Sequence, residues 1–269
     1  MLTKRLVTAA ILLPIVVFGT LLLDEMLFRI ILALVIVIAG WEYCNLISIK
    51  QPAFRMLYVF ALTIIAFIFA SINAWLMPVI ITSSAWWLLN ALWVARYPKF
   101  TNLWHGGNGV RLLNGLFTFV PMFVALAALQ KSNSELVLLL LALIWSADSG
   151  AYFAGKALGA NKLCPRVSPG KTIEGMIGGT VASIATMLFY LELFIEPIST
   201  EQYLVYVALS VVVSIVSVIG DLFESLHKRL ANVKDSGALL PGHGGLFDRI
   251  DSLTSAAPVF CLVYYGALL

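Results

Sequence analysis

The sequence predicts an all-α, polytopic membrane protein with about nine transmembrane helices, and three observations lead to this fold class. Of the 269 residues, 61% are apolar and only 12% are charged, whereas soluble domains have roughly 45–50% and about 25%. The mean hydropathy is +0.97. Sixteen Phe, nine Tyr and seven Trp residues suit the aromatic belts at membrane interfaces. The composition therefore excludes a soluble globular, a disordered or a collagen-like chain.

The charged residues delimit the predicted helices, because a helical membrane crossing needs about 20 mostly apolar residues. The uncharged stretches are, in chain order, 6–23, 30–41, 56–95, 112–130, 136–147, 175–191, 202–220 and 252–269. The stretch 56–95 is long enough for a hairpin of two helices that turns near Asn73 and Pro78. Counting that stretch twice gives the nine expected crossings.

Two of these stretches, 30–41 and 136–147, are too short to cross a membrane by themselves. Each becomes long enough only if a charged residue lies in the membrane region, namely Arg29 or Glu42 in the first and Asp148 in the second. The opening stretch follows two basic residues, as a secretory signal would. It is too long for the apolar core of a signal, and no small-x-small cleavage site follows it. We therefore expect it to be retained as the first helix.

The basic residues predict the orientation, since Lys and Arg are enriched in cytoplasmic loops. With the N-terminus in the cytoplasm, fifteen of the seventeen basic residues lie on the cytoplasmic side, and only Arg29 and Lys131 lie opposite. An odd number of helices then places the C-terminus on the periplasmic side of a bacterial inner (cytoplasmic) membrane. The net charge of +3 is small and its basic residues are scattered, which argues against nucleic acid as a partner.

The chain is predicted to form a single integral membrane domain, 1–269, because no linker, repeat or break in composition divides it. Residues 1–130 hold almost no polar side chain inside a span, so we expect a helical scaffold half through which a homodimer would pack. Residues 131–269 are expected to form the catalytic half. Its polar residues collect in two predicted cytoplasmic loops, 148–175 and 220–251, whose mixture of carboxylates, basic side chains and glycines suits a multiply charged anion.

In the second loop, the spacing places polar side chains on shared helix faces. Four of them lie on one face if the preceding helix continues: Asp221, Glu224, Ser225 and Lys228. Asp248 and Asp251 repeat this spacing at the start of the last helix. Carboxylates on separate helix ends, such as Asp221 and Asp248, suit a hard cation like Mg²⁺. The glycines around His243 would let backbone N–H groups approach a phosphate.

In the first loop, a compact polar cluster precedes a predicted helix, whose N-terminus favours anions. The cluster consists of Ser168, Lys171, Thr172 and Glu174. The Gly-Lys-Thr motif at 170–172 invites comparison with a phosphate-binding loop. That interpretation fails because the first glycine of the motif is replaced by Pro165 and no strand is predicted before it. Asp148 and Tyr152, one helical turn apart, complete the polar face.

The stretch 225–251 resembles the signature of the phosphatidate cytidylyltransferase (CDP-diacylglycerol synthase) family. The family pattern runs Ser-x-apolar-Lys-Arg, four residues, Lys-Asp-x-small, and then Pro-x-His-Gly-Gly-apolar-x-Asp-Arg-apolar-Asp. Every polar and glycine position of this pattern is present. The one departure is His227, where the family usually has an apolar residue. Segment 148–175 and the Gly-Asp pair at 220–221 also resemble the family, whereas residues 1–130 agree only in being hydrophobic.

The resemblance implies an integral membrane enzyme that joins CTP to phosphatidic acid in the bilayer, giving CDP-diacylglycerol and pyrophosphate. It also implies Mg²⁺ as a cofactor, with room for a second cation. The spacing and the resemblance together assign catalytic roles to Asp148, Asp221, Lys228 and Asp248, and metal binding to Asp221, Asp248 and Asp251. The residues expected around the substrates are Ser168, Lys171, Thr172, Glu174, Ser225, Arg229, Lys234, Asp235, His243, Gly244, Gly245 and Arg249.

Two other functions stay open at this point. A CTP-dependent lipid kinase would use Asp148 as the base for a lipid hydroxyl. An ion or lipid transporter would use Asp148 and Asp221 as intramembrane carboxylates. Transporter carboxylates should lie near the middle of the membrane, however, whereas these are predicted at its cytoplasmic edge. For the cytidylyltransferase no strong base is expected, because the attacking phosphate is already anionic at pH 7.

Overall fold

A computed structural model describes residues 2–195, 198–240, 242 and 244–268. The chain folds, in order, into α1 (Leu2–Leu22), α2 (Glu25–Leu46), α3 (Pro52–Ser71), a 3₁₀ turn (Asn73–Trp75), α4 (Leu76–Arg96), α5 (Thr101–His105), α6 (Asn108–Ser132), α7 (Ser134–Leu158), β1 (Lys162–Cys164), β2 (Ser168–Thr172), α8 (Ile173–Phe194), α9 (Thr200–Leu230), α10 (Phe247–Val263) and a π-helical turn (Tyr264–Leu268). The described part of the chain is therefore all-α apart from one short hairpin.

Within the described ranges, nine long helices correspond one by one to the predicted spans. Seven of them are long and apolar enough to cross a membrane: α2, α3, α4 with its preceding 3₁₀ turn, α6, α7, α8 and α9. The polytopic membrane fold is thereby confirmed. The apolar part of α1 and the 17-residue α10 are shorter, so the count of nine crossings stays a prediction. Asp148, like Arg29 and Glu42, lies inside a helix, as the two short stretches required.

Local sequence signals explain where the helices begin. Asp24 caps α2, because its carboxylate accepts hydrogen bonds from the N–H groups of Met26 and Leu27 (2.9 and 3.0 Å). Thr172 caps α8 in the same way, through the N–H of Gly175 (3.0 Å). Such caps satisfy N–H groups that have no partner inside the helix. Polar residues between apolar stretches thus fix the starts of these two helices.

The core of the bundle is built around α6. Phe119, Met122 and Phe123 of this helix have no exposed surface, and they belong to one apolar cluster with residues of α2, α3, α7, α9 and α10. Large apolar side chains cover the outside as well, since Leu88 and Phe153 are 68% and 69% exposed. An apolar exterior of this kind is expected of helices surrounded by lipid.

The helices that carry the polar segments pack backbone to backbone. A Cβ at Gly150 of α7 would lie 2.6 Å from the carbonyl oxygen of Gly178 in α8, and a Cβ at Gly178 would overlap that of Ala154. Small residues permit such close approach between membrane helices. Gly220 of α9 likewise has no room for a side chain, because the backbone oxygen of Asp251 in α10 occupies that space. These contacts bring the polar ends of α7, α8, α9 and α10 together.

The two predicted loops contain more regular structure than the sequence indicates. α7 continues to Leu158 and α9 to Leu230, so segments 148–158 and 220–230 are helical. The remainder of the first loop contains the antiparallel hairpin of β1 and β2. Both helices extend beyond their apolar stretches because α7 packs on α8 and α9 packs on α10, and tertiary packing supports helix where apolar composition gives no signal.

Candidate active site

The two polar segments meet at one end of the bundle. Lys171 Nζ lies 2.6 Å from Asp221 Oδ2, which makes an ion pair between β2 and α9. Ser225, one helical turn after Asp221, donates a hydrogen bond from Oγ to Asp221 Oδ1 (3.1 Å). The fold thus brings into contact three side chains that the sequence assigns to one site, although two of them lie some fifty residues from the third.

A cavity of about 490 Å³ lies beside this ion pair, between α7, α8, α9 and the hairpin. Its apolar lining includes Met176 and Val218. Phe153 of α7 and Ile177 of α8 directly follow the lining residues Tyr152 and Met176 in the sequence, and they are 69% and 56% exposed. The cavity therefore lies where charged groups meet the apolar outer surface. Its polar lining consists of Asp148, Tyr152, Lys156, Lys171, Thr172 and Asp221.

Two carboxylates that line the cavity, Asp148 and Asp221, act on each other and on a third, Asp251. Asp148 interacts electrostatically with Asp221, and also with Lys171 and Arg249. Asp251, on α10, interacts with both Asp221 and Asp148. Like charges in a partly buried site repel, and the two basic side chains, or a bound cation, offset that repulsion. The end of the bundle that holds the cavity is therefore suited to cations and, through its basic side chains, to anions.

Lys228 lies between two further carboxylates. Its Nζ is 2.6 Å from Glu224 Oε2 and 2.7 Å from Asp248 Oδ1. The Glu224 side chain has no exposed surface, and that of Asp248 is 6% exposed. Burial alone would raise the pKa of Asp248, but the hydrogen bond and the charge of Lys228 lower this pKa below its ordinary value. The ammonium of Lys228 is thus engaged by protein carboxylates, and its predicted contact with a substrate phosphate stays a prediction.

The second oxygen of Asp248 holds the glycine-rich connection between α9 and α10. Asp248 Oδ2 accepts hydrogen bonds from Ser236 N–H (2.9 Å), Ser236 Oγ (2.8 Å) and Gly245 N–H (2.8 Å). Gly244, just before, has a φ of +82°, a left-handed conformation that favours glycine. His243 lies outside the described residues. Asp248 and the connection therefore position each other.

Two of the predicted substrate-binding residues bind the hairpin or the residues just before it. Glu174 accepts hydrogen bonds from the N–H groups of Ala160 and Asn161 and from Asn161 Nδ2 (2.7 Å). Arg229 donates from Nε to the carbonyl oxygen of Val167 (3.1 Å). These two side chains hold the hairpin against α8 and α9. Of the others, Ser168 is half-buried, and Lys234, Asp235 and Arg249 are exposed.

The predicted metal ligands are Asp221, Asp248 and Asp251. In the part of the chain that the structure describes, no group of three or more His, Cys, Asp or Glu side chains forms a metal-binding cluster. The donors are nevertheless of the type that Mg²⁺ prefers, since Asp148 and Asp221 line the cavity and Asp251 of α10 interacts electrostatically with both. Asp221 and Asp251 of the predicted set therefore fit Mg²⁺ in their chemistry, whereas both oxygens of Asp248 are already engaged by protein donors. The full set of three ligands stays a prediction.

Three residues that the site assignment missed belong to this region. Lys156 lines the cavity, and its Nζ lies 5.9 Å from the centre of the Tyr152 ring. Ser236 binds Asp248, and Glu42 of α2 binds Ser236 in turn (3.3 Å between Oε2 and Oγ). Glu42 carried a signal, because a carboxylate inside an apolar stretch is costly and usually functional. For Lys156 and Ser236, the only signal in the sequence was that they lie in the two polar segments.

The fold and the site define an integral membrane protein with a charged site at the ends of its helices, and the chain belongs to the cytidylyltransferase family. The sequence model of that family matches residues 3–266. Membership confirms the resemblance seen in the sequence and makes the chain a CTP-using nucleotidyltransferase.

The chain is similar along its whole length to two proteins named phosphatidate cytidylyltransferase. The Pseudomonas aeruginosa protein is 38% identical, with 99% of this chain and 98% of that protein covered. The Haemophilus influenzae protein is 33% identical, and both chains are covered completely. A Brucella suis protein of the same name is 47% identical over 132 residues, which is 49% of this chain and 47% of that protein.

Proposed function

We propose that this chain acts as a phosphatidate cytidylyltransferase, which transfers CMP from CTP to phosphatidic acid and releases pyrophosphate. Similarity over the full length to proteins of that name supports the choice of substrate. The observation that carries the proposal is the position of the cavity, which has Lys156 and Lys171 in its lining and exposed apolar side chains beside it. A nucleotide from water and a headgroup from the bilayer meet there without the lipid leaving the membrane.

The basic side chains divide between the two substrates in this proposal. Lys156 and Lys171 lie in the cavity beside the apolar surface, so they bind the phosphate of phosphatidic acid. Lys171 then exchanges its contact with Asp221 for a contact with that phosphate. The triphosphate of CTP lies towards the connection between α9 and α10, where the predicted nucleotide contacts are found: Lys228, Arg229, Lys234, Gly244, Gly245 and Arg249.

The chemical step is a direct attack of a phosphatidate oxygen on the α-phosphorus of CTP. A bond forms between that oxygen and the α-phosphorus, and the bond from the α-phosphorus to the bridging oxygen of pyrophosphate breaks. The attacking phosphate needs no strong base because it is already anionic. Catalysis is then positioning and neutralisation of charge, as in phosphoryl transfer generally. The basic side chains of the site lower the repulsion between two polyanions.

Mg²⁺ is part of the proposal, with Asp221, Asp248 and Asp251 as the residues that would hold it. When bound, such an ion neutralises charge on the triphosphate and on the leaving pyrophosphate. The repulsion between Asp221 and Asp251 supports two of these three ligands. Asp248 is included because of its place in the family pattern. Asp148, which belongs to the same group, either holds a second cation or orients Lys171.

The finer location of the protein is also proposed. Bacterial relatives and the charge distribution support an inner membrane with the N-terminus and the cavity facing the cytoplasm, where CTP is found. The C-terminus is then periplasmic. A homodimer would pack through the scaffold half, 1–130, whose helices α3 and α4 carry exposed apolar side chains such as Leu57 and Leu88.

Radiolabelled CTP tests the proposed function. Purified protein in mixed micelles with phosphatidic acid is expected to transfer the α-phosphorus label, and not the γ label, into the lipid fraction. Entry of the γ label would instead indicate a lipid kinase, in which the cavity residue Asp148 acts as a base. Entry of neither label, with protein that is folded by circular dichroism, would contradict both enzymes.

A further inference from the structure

Glu42 is a buried carboxylate of the predicted scaffold half that reaches the candidate active site. It lies one turn before the end of α2 and is 5% exposed. Its Oε2 accepts a hydrogen bond from Phe247 N–H (2.8 Å), and its Oε1 accepts one from Leu246 N–H (3.1 Å). N–H groups at a helix start have no partner inside the helix. Glu42 therefore caps α10 from a position 205 residues earlier in the chain.

Ser236 connects this cap to Asp248. The Oγ of Ser236 lies 2.8 Å from Asp248 Oδ2 and 3.3 Å from Glu42 Oε2. Ser236 N–H also donates to Asp248 Oδ2 (2.9 Å). The connection between α9 and α10 is thus folded between two carboxylates, with Glu42 on one side and Asp248 on the other.

Two glycines of this connection leave the space that Glu42 fills. A Cβ at Gly245 would lie 2.5 Å from Glu42 Oε2, and a Cβ at Gly237 would overlap Oε1. The backbone therefore closes directly on the carboxylate from two directions. The space at position 42 therefore matches a carboxylate that the backbone of the connection touches directly.

The end of α2 is itself fixed, so Glu42 is a rigid reference point. Tyr43, the next residue, has no exposed surface, and its OH donates a hydrogen bond to the carbonyl oxygen of Arg111 (2.8 Å). The Tyr43 ring also packs edge-on against Phe247, with ring centres 6.1 Å apart. α2, α6 and the start of α10 are thereby held together.

We infer that Glu42 is a positioning residue for nucleotidyl transfer, which holds Ser236 and the start of α10 so that Asp248 is presented correctly to the site. This inference rests on the proposed function. A catalytic group displaced by about 1 Å can lose about 100-fold in rate. The scaffold half thus contributes to catalysis through one carboxylate that touches neither substrate.

Glu42→Gln tests the inference, because the amide keeps the size of the side chain but offers one acceptor atom in place of two. Its NH₂ group then faces N–H donors of α10. The matched control is Glu25→Gln, the same change at the other end of α2, where Glu25 forms a partly exposed ion pair with Arg29. The measurements are kcat and KM with α-labelled CTP, the thermal midpoint, and the rate of tryptic cleavage after the exposed Lys234.

Glu42→Gln is expected to lower kcat by about tenfold or more, to change KM for CTP by less than about threefold, and to speed cleavage after Lys234. Glu25→Gln should change none of these. If the wild-type protein is active and Glu42→Gln has the same kcat, the inference about Glu42 is overturned and the proposed function is not. A wild type and a Glu25→Gln variant that both fail to label lipid would contradict the proposed function instead, while faster cleavage in Glu42→Gln would still report the lost anchor.

Ser236→Ala keeps the test decisive if Glu42→Gln does not fold. This change removes the hydroxyl between the two carboxylates and leaves Glu42 bound to α10. A reduced kcat with an unchanged KM for CTP is expected, and the double variant with Glu42→Gln should lose less than the product of the two single effects. Wild-type kcat in Ser236→Ala, or two fully multiplicative losses, would contradict the route from Glu42 through Ser236 to Asp248.

Discussion

Asp221 and Asp248 are held by very different partners, although the sequence assigns both to a metal. Asp221 is bound by one ammonium group, that of Lys171, and one hydroxyl, that of Ser225. Asp248 accepts hydrogen bonds from Lys228, from both donors of Ser236 and from Gly245. Asp248 is therefore also a structural centre for the connection between α9 and α10. Asp221 is freer to exchange its partners.

Replacing either aspartate by asparagine should separate these two roles. Asp221→Asn and Asp248→Asn are both expected to abolish formation of CDP-diacylglycerol. Only Asp248→Asn should also destabilise the fold, by about 1–3 kcal/mol, because its amide cannot accept all the donors that now meet the carboxylate. The assay with α-labelled CTP and thermal unfolding of the purified variants check both points. Substantial Mg²⁺-dependent turnover in either variant would contradict the metal assignment.

Lys228 gives the second prediction at the scale of single residues. Lys228→Met removes the ammonium between Glu224 and Asp248 and leaves a fully buried carboxylate without its ion pair. Breaking a buried pair in this way costs about 3–5 kcal/mol, so a large fall in thermal stability is expected together with at least a tenfold loss of turnover.

Two exposed lysines are the controls for this change. Lys234→Met should reduce turnover through a lost phosphate contact, without an effect on stability. Lys50→Met should change neither quantity, since Lys50 is exposed and lies in the connection between α2 and α3. If Lys50→Met damaged activity as much as Lys228→Met at matched expression, the effect would be one of general charge or membrane insertion.

The sequence identifies some residues of the site and misses others for a physical reason. Lys171 and Asp221 were found because a basic residue before a helix and a carboxylate at the end of an apolar stretch both carry a local signal. Glu42 was noted only as a charge inside a short span, because its partners Leu246 and Phe247 bind through backbone N–H groups. Backbone donors are present at every residue, so no sequence pattern reveals which ones a distant carboxylate will meet.

At the scale of elements, the close contact of α7 with α8 shapes the cavity. Gly178→Ala places a methyl group against Ala154 and should push the two helices apart. Overpacking of this kind costs about 1–3 kcal/mol, so a lower thermal midpoint and reduced turnover are expected. Gly109→Ala, in the first turn of α6, adds a methyl group with nothing within 4 Å and is the control. Equal thermal midpoints for the two variants would contradict this account.

The long helices were predicted from composition alone, and the smaller elements were not. Apolar stretches between charges mark α1, α3, α4, α6, α8, α9 and α10, because most of their side chains are either in the core or in lipid. The helices α2 and α7 were predicted only by allowing a charged residue inside the span. The hairpin of β1 and β2 has no alternating pattern, and its ends are held by Glu174 and Arg229 through single side-chain contacts. Structure that depends on such tertiary contacts leaves no periodicity in the sequence.

For the whole molecule, the charge distribution predicts which side of the membrane each end occupies. A reporter fused near Ala160 or Asp235 should be cytoplasmic, and one fused after the last residue should be periplasmic, because fifteen basic residues would otherwise face outwards. A cytoplasmic reporter at the C-terminus would mean that the number of crossings is even. The 17-residue α10 would then be the helix that does not cross the membrane.

The position of the cavity, between charged helix ends and the apolar flank of α7 and α8, divides the two products of the proposed reaction between two phases. Pyrophosphate dissociates into water, whereas CDP-diacylglycerol diffuses laterally into the membrane leaflet. Encounter with the lipid is then a search in two dimensions, governed by the mole fraction of phosphatidic acid in its bilayer or micelle. Extra detergent would dilute phosphatidic acid within the micelles, while the concentration of CTP in water would stay unchanged.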